Sequence, residues 1–384
     1  MRRRPLLFLA GPAAAVLTAC GGTQVAPPPT INSAEPVPGL AAAALVNFTS
    51  AVNGQPATSS LTSAERVGVA NATAIGIDNV TMRYIDASGT AAADGSWTAD
   101  VDLSWQVRGE SLATEQIGVT FAPAGGAVQI TGFGGAGLPV PLWLLAPVSV
   151  TRAGGVTVIC QGKDPARYLQ MGLTAIAQVR QTIAWPDARL TLEVPADEAT
   201  LEQVSGTAPG SDRGVAAFTG PVDGRVQGPV HIFVNPQVIG SGRDAQIVMS
   251  HEATHAATNA STNPHLPAWV REGFADYVAL RAQNLPLNTI AGAALATVRK
   301  SGAPATLPTD TEFNAAAEDF GQEYTFAWLA WRYLDSVGGP TSADRFYNAV
   351  GAGTTVEQAL QQTYGFNTAT LTARWRAYVL KLAG

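Results

Sequence analysis

An α+β fold is predicted for this chain of 384 residues, long enough for two domains once its ends are trimmed. Two observations carry the prediction. Trp97-Thr98-Ala99-Asp100-Val101-Asp102-Leu103-Ser104-Trp105 alternates apolar with polar or small residues at period two, as a half-buried strand does, and similar runs recur up to Val234. From Ser241 onward apolar residues recur almost throughout at helical spacing. Strands first and helices afterwards imply helices packed beside a small sheet, not a doubly wound alternation. With 39 Gly and 25 Pro, the chain must also contain many turns and at least one linker.

The opening residues stand apart from the fold. Arg2, Arg3 and Arg4 form a basic start, and Leu6 to Val16 is an apolar stretch too short to span a bilayer as a mature helix. It runs into Leu17-Thr18-Ala19-Cys20-Gly21, which resembles the lipobox of bacterial lipoproteins, with an ordinary signal peptide as the plainer alternative. The resemblance implies a signal peptide over 1–19, lipidation of Cys20 and an exported protein facing outside the cytoplasm. Two or three acyl chains hold a protein firmly to a membrane, where one is marginal. Residues 20–40, rich in Gly, Pro, Ser and Thr, read as a flexible tether. Cys160 then has no partner. It sits in the apolar run Val156-Thr157-Val158-Ile159-Cys160 and reads as a buried strand thiol, with nothing local to lower its pKa.

Residues 41–162 are expected to form a small α+β accessory domain. Helices are expected over Ala41–Ala51 and Ser63–Ala74, and strands over Val80–Ile85, Trp97–Val107, Ile117–Phe121, Ala127–Phe133 and Val148–Ile159. Asp94-Gly95 and Gly125-Gly126 mark turns. Helices followed by a curved antiparallel sheet resemble the order of the NTF2-like cone.

Residues 163–384 are expected to form the second domain. Asp164-Pro165 opens a helix, with Asp as N-cap and Pro at its first position, running to about Ile183. Strands are expected at Leu190–Val194, Val215–Phe218 and Val230–Val234, with a short helix at Glu198–Val204 between the first two. Ser241-Gly242-Arg243-Asp244 has a hydroxyl at the N-cap position and an acid three residues on, like a capping box. Net charge is −6 with no long basic run, so nucleic acid is excluded as a natural partner.

The helix begun at Ser241 contains His251-Glu252-Ala253-Thr254-His255, an HExxH motif that takes two of the four histidines in the chain. Residues four apart share a helix face, so both imidazoles reach one metal ion. Zinc accepts two neutral imidazoles and a carboxylate and leaves a fourth position for water. Glu252, about 100° round the helix from His251, points beside the metal, where it can take a proton from that water. Further on comes Leu266-Pro267-Ala268-Trp269-Val270-Arg271-Glu272-Gly273-Phe274-Ala275-Asp276-Tyr277, with Pro267 suited to the first position of another helix. Glu272 and Asp276 again share one face. Glu272 suits a third metal ligand, and Asp276 suits an acceptor for the free ring N–H of a ligating His.

HExxH followed by a helix bearing ExxxD resembles the gluzincin metallopeptidases, and the fuller run resembles the peptidase MA-like families of bacteria, over roughly 241–285. The resemblance implies a zincin-like domain over 163–384 and Zn2+ bound by His251, His255 and Glu272. It makes Glu252 the base that drives zinc-bound water onto a peptide bond, and it places Asp276 behind the ligands. Gluzincins often hold the developing oxyanion with a Tyr or His. Tyr324 stands at a comparable distance downstream; it also reads as a core residue of an amphipathic helix with Trp328, Trp331 and Leu334. No GxMEN-type segment for holding a substrate N-terminus is present, which leaves endo- and exopeptidase action both open. His265 faces the cleft or lies in a solvated loop. The strand His231-Ile232-Phe233-Val234-Asn235 is the expected edge strand for an extended substrate. The reading is thus a membrane-anchored zinc metallopeptidase acting on peptides or proteins of the cell envelope. Its alternative is a catalytically inactive zincin-like envelope binding or scaffold lipoprotein.

Overall fold

In the computed structural model, residues 35–162, 164–313 and 321–384 are described. The expected signal peptide, Cys20 and most of the tether lie outside them. Helix α1 (Pro38–Val52) starts within the expected tether, because Pro38 fits the first helical turn. Helix α2 (Ser63–Ile75) has a full capping box between Thr62 and Glu65. Strands β1 (Ile77–Ala87), β2 (Trp97–Val107), β3 (Leu112–Ala124) and β4 (Ala127–Phe133) form an antiparallel meander in sequence order. Trp97, Ala99, Val101, Leu103 and Trp105 of β2 are all buried while the residues between them are half-exposed, the alternation its sequence requires.

The second sheet differs from expectation in two respects. The run Val148–Ile159 is a hairpin of β5 (Ser149–Ala153) and β6 (Val156–Cys160), turned at Gly154-Gly155. It was grouped by sequence with the first sheet, but β6 pairs in parallel with β7 (Leu190–Val194), so the hairpin belongs to the second. Helix α3 (Pro165–Val179), capped by Asp164, makes the crossover between these parallel strands. After β7 come helix α4 (Glu198–Ser205), strand β8 (Ala217–Pro221) and strand β9 (Val230–Val234), in the spatial order β5-β6-β7-β9-β8. β9 is therefore an interior strand and β8 is the edge. A hairpin whose second strand inserts beside β7 leaves its first strand outermost, and strand sequences alone do not reveal that choice.

This sheet is covered on both faces. Val158, Leu192, Ile232 and Val234 belong to the large core shared with the helices, while Ile159 and Phe233 belong to the core of the N-terminal sheet. Neighbouring residues point to opposite faces, so a strand buried on both reads as a continuous apolar run. Cys160 is buried in the large core, where burial pushes its thiol pKa up.

The helical part follows: α5 (Gly242–Thr258), α6 (Ala268–Arg281), α7 (Leu287–Ser301), α8 (Gln322–Gly351), α9 (Val356–Tyr364) and α10 (Thr368–Ala383). Two terminus expectations change here. Ser241 is the N-cap of α5 but its side chain makes no capping bond, and Pro267 is the N-cap of α6, not its first residue. α8 is two helices that meet at a kink, broken at Gly339 (φ 71°) before Pro340. No helix among the described residues is long and apolar enough to cross a membrane.

Candidate metal centre

α5 runs beneath the edge strand β8 and packs against α6, and the two helices bring the chemically distinctive residues together. His251 and His255, one turn apart on α5, place their Nε2 atoms 3.0 Å from each other. Glu272 Oε2, reaching over from α6, lies 3.2 Å from the first and 3.1 Å from the second. Zinc holds imidazole nitrogen and carboxylate oxygen at about 2.0–2.2 Å, so the corners of its tetrahedron stand about 3.3 Å apart. The three atoms here have nearly that spacing, and their chemistry, two ring nitrogens and a carboxylate oxygen, fits a zinc ion.

The residues around the ligands set their state. Asp276, one turn after Glu272, places Oδ1 2.8 Å from His251 Nδ1. A carboxylate only accepts, so Nδ1 carries a proton; Nε2 faces Glu272, where a bound cation would take the place of the Nε2 proton. Burial disfavours a charged His251, but Asp276 and Glu272 together raise its pKa well above the ordinary value. Burial also acts against an ionised Glu272, yet hydrogen bonds from His251 and His255 hold its carboxyl well below the usual range. His255 Nδ1, by contrast, is buried without a hydrogen-bond partner among the described residues.

Glu252, 7% exposed, stands beside the three ligand atoms. Thr219 on β8 donates its hydroxyl to Glu252 Oε2 at 2.7 Å and also lies 3.0 Å from the Glu252 carbonyl oxygen. Burial raises the Glu252 pKa, opposed by His251, His255 and the Thr219 bond. Tyr324, in the first turn of α8, lines the same cleft, with its ring 6.2 Å from that of His251 and 5.0 Å from that of Phe313. Burial first, then the carboxylates Glu272, Asp276 and Glu252, keep this phenol protonated.

The structure thus brings His251, Glu252, His255, Glu272, Asp276 and Tyr324 into one cleft, roofed by residues 213–219. It separates the other two histidines from them. His265 is exposed in the turn before α6 and does not line this cleft. His231 faces the N-terminal sheet, bonded through Nδ1 to Glu193 Oε1 (2.7 Å) and through Nε2 to Glu110 Oε2 (2.9 Å). The strand expected at the edge, β9, is interior; the edge is β8, whose outer side pairs with no strand among the described residues.

Two residues at the site were missed from sequence. Thr219 carries no local signal, because its place depends on sheet order. Arg271 stood inside the quoted motif, directly before Glu272; its Nε donates to Glu272 Oε1 at 2.7 Å.

Residues 216–381 match the family model described as the Peptidase MA superfamily. The match begins at β8, ends within α10 and contains every residue of the cleft named above except those of the loop before β8. No curated protein matches the chain. At superfamily level the match supports a peptidase-type hydrolase.

Proposed function

We propose, from the premise of a peptidase MA-type domain over 216–381, that this protein is a lipid-anchored zinc metallopeptidase of the cell envelope that hydrolyses peptide bonds. The convergence of His251 Nε2, His255 Nε2 and Glu272 Oε2 within 3.2 Å of one another, with Glu252 beside them under an open strand edge, carries the reading. Export and anchoring rest on Arg2–Arg4, the apolar stretch Leu6–Val16 and Cys20.

His251, His255 and Glu272 hold the ion. When bound, zinc supplies Lewis acidity toward the scissile carbonyl and lowers the pKa of a water. The chain's own groups do the rest. Glu252 takes a proton from the attacking water and passes it to the leaving amine as the C–N bond breaks. Thr219 fixes the carboxylate oxygen that makes the transfer. Tyr324 donates its phenolic hydrogen to the carbonyl oxygen as negative charge builds there. The free edge of β8 pairs with the extended substrate backbone, which lays the peptide across the cleft.

Elemental analysis of the purified chain tests the metal, and hydrolysis of a broad peptide library tests the chemistry. One zinc per chain is expected, lost or greatly weakened in Glu272→Ala. In Glu252→Gln zinc should stay while hydrolysis falls by about a hundredfold or more. Folded protein that takes up no offered zinc would leave an envelope binding protein as the better reading. Near-normal turnover by Glu252→Gln would remove Glu252 as the base.

A further inference from the structure

Arg271 has capacity that holding Glu272 does not use. Its Nε serves Glu272 Oε1, so the two oxygens of that carboxylate are divided, Oε1 to the guanidinium and Oε2 to the imidazoles. A guanidinium has five N–H donors in one plane. The Nη groups, with the other four, have no protein partner among the described residues. The side chain is one-third exposed (33%) and lines the cleft beside Tyr324, close enough to lower that phenol's pKa against its carboxylates.

The charge of the cleft supports the same conclusion. Among the described residues its carboxylates are Glu252, Glu272 and Asp276, each already bonded to Thr219, the histidines with Arg271, or His251. Against them stand Arg271, Arg213 from the loop before β8, and the divalent ion the site is built to hold. With a divalent ion bound, these described groups would sum to +1, in a chain whose overall charge is −6. A planar pair of N–H donors beside a scissile-bond site matches a carboxylate, which it binds through two parallel hydrogen bonds.

We propose that Arg271 is the substrate-carboxylate reader of this cleft. The peptides cleaved then carry an anionic group close to the scissile bond, with Arg213 as a second cation toward the β8 side. The carboxylate comes either from an acidic side chain or from the peptide C-terminus. The proposal rests on the peptidase reading for its substrate class, but binding tests it separately.

The experiment uses the zinc-saturated full chain and one peptide in matched forms: Glu, Gln or Lys at each position flanking the cut, each as free acid and as amide. Replacing the carboxylate that is read should raise KM about tenfold to a hundredfold in the wild type, the range for hydrogen bonds to a charged group. In Arg271→Met that difference should collapse, read as the ratio of acid to neutral peptide within the variant, and Arg271→Lys should restore part of it. Sensitivity to Glu over Gln identifies a side-chain carboxylate; sensitivity to amidation identifies the terminus. In parallel, the same peptides are titrated onto Glu252→Gln and onto Glu252→Gln/Arg271→Met by calorimetry, which needs no turnover. Tighter binding of the acid form that depends on Arg271 upholds the proposal even if no peptide is cut, and in that case only the peptidase reading falls. Equal binding of acid and neutral forms overturns it. So does a preference that survives Arg271→Met, which would put the carboxylate on the metal or on Arg213. An equal loss of kcat on every peptide would make Arg271 a positioning residue for Glu272 and nothing more.

Discussion

His251 and His255 sit one turn apart on the same helix, yet they are held differently. Asp276 fixes the tautomer and orientation of His251 through a 2.8 Å bond, whereas His255 Nδ1 is buried without such a partner among the described residues. The orientation of the ligand set therefore depends heavily on Asp276. Removing a group that orients a ligating His typically costs ten- to a hundredfold in metal affinity. Asp276→Ala is expected to weaken zinc by about that factor, read by competition with a chromophoric chelator. Unchanged affinity in the folded variant would take Asp276 out of this role. Thr219 touches Glu252, the proposed base, and none of the three proposed ligands. Thr219→Val keeps the β-branched shape and removes the hydroxyl that meets Glu252 Oε2 at 2.7 Å. It should lower kcat about tenfold to a hundredfold while zinc content holds, since a lost hydrogen bond to a charged group is worth about 1.5–3 kcal/mol. A fall in zinc content instead would mean that Thr219 supports the helix and not the carboxylate.

The site is assembled between elements by close packing of α6 on α8. Gly273 follows the ligand Glu272, and a Cβ added there would stand 2.6 Å from Trp331 Cδ1 and 2.8 Å from the Ala327 carbonyl carbon and oxygen. Backbone cannot retreat as a side chain can, so α6 must shift and carry Glu272 with it. Gly273→Ala is expected to destabilise the fold by about 1–3 kcal/mol, the range for overpacking, and to weaken zinc as well. A thermal melt and a zinc titration check the two effects, and full stability would show that α8 yields. This element-level fit also marks what the sequence made legible. Periodicity places α2 and α4 closely, and Asp164 marks the start of α3 with the local capping bond it makes there, although that helix ends at Val179 and not near Ile183. HExxH and ExxxD were readable for the same reason: residues four apart meet on one helix whatever lies around it. What was not readable is pairing between distant strands. β9 looks like an edge strand and is interior, the hairpin β5–β6 looks like part of the first sheet and joins the second, and Thr219 gains its role only from that order. Ser241 shows the converse, a capping pattern whose bond does not form.

At the scale of the molecule, the second sheet joins the metal site to the N-terminal sheet, and the seam behind it is charged. His231, 3% exposed, lies between Glu193 of β7 and Glu110 from the turn between β2 and β3. Nearby, Glu115 of β3 faces Glu193 and Asp223, and Asp223 is held by Arg225 and by the Thr114 amide. Burial disfavours a charged His231, but Glu110 and Glu193 push its pKa up to about 10. Burial first, then Asp223 and Glu193, raise Glu115 to about 8. Both folded pKa values lie above the unfolded ones, so the sign is common to the two groups. Their contribution is full below the unfolded pKa and is lost as pH rises through the folded value, from about 4.3 to 8 for Glu115 and from about 6.5 to 10 for His231. The seam should therefore weaken on the alkaline side. His231→Gln leaves Glu110 and Glu193 facing each other without a cation, which at pH 6 is expected to cost about 3–5 kcal/mol. The wild type loses the same advantage by deprotonation, so its stability and that of the variant should converge as pH approaches about 10. Urea unfolding of both proteins from pH 6 to pH 10, with chelator present so that metal binding does not contribute, measures the gap directly. Parallel curves with a constant gap would mean that His231 is neutral throughout and joins the sheets by packing, not by charge.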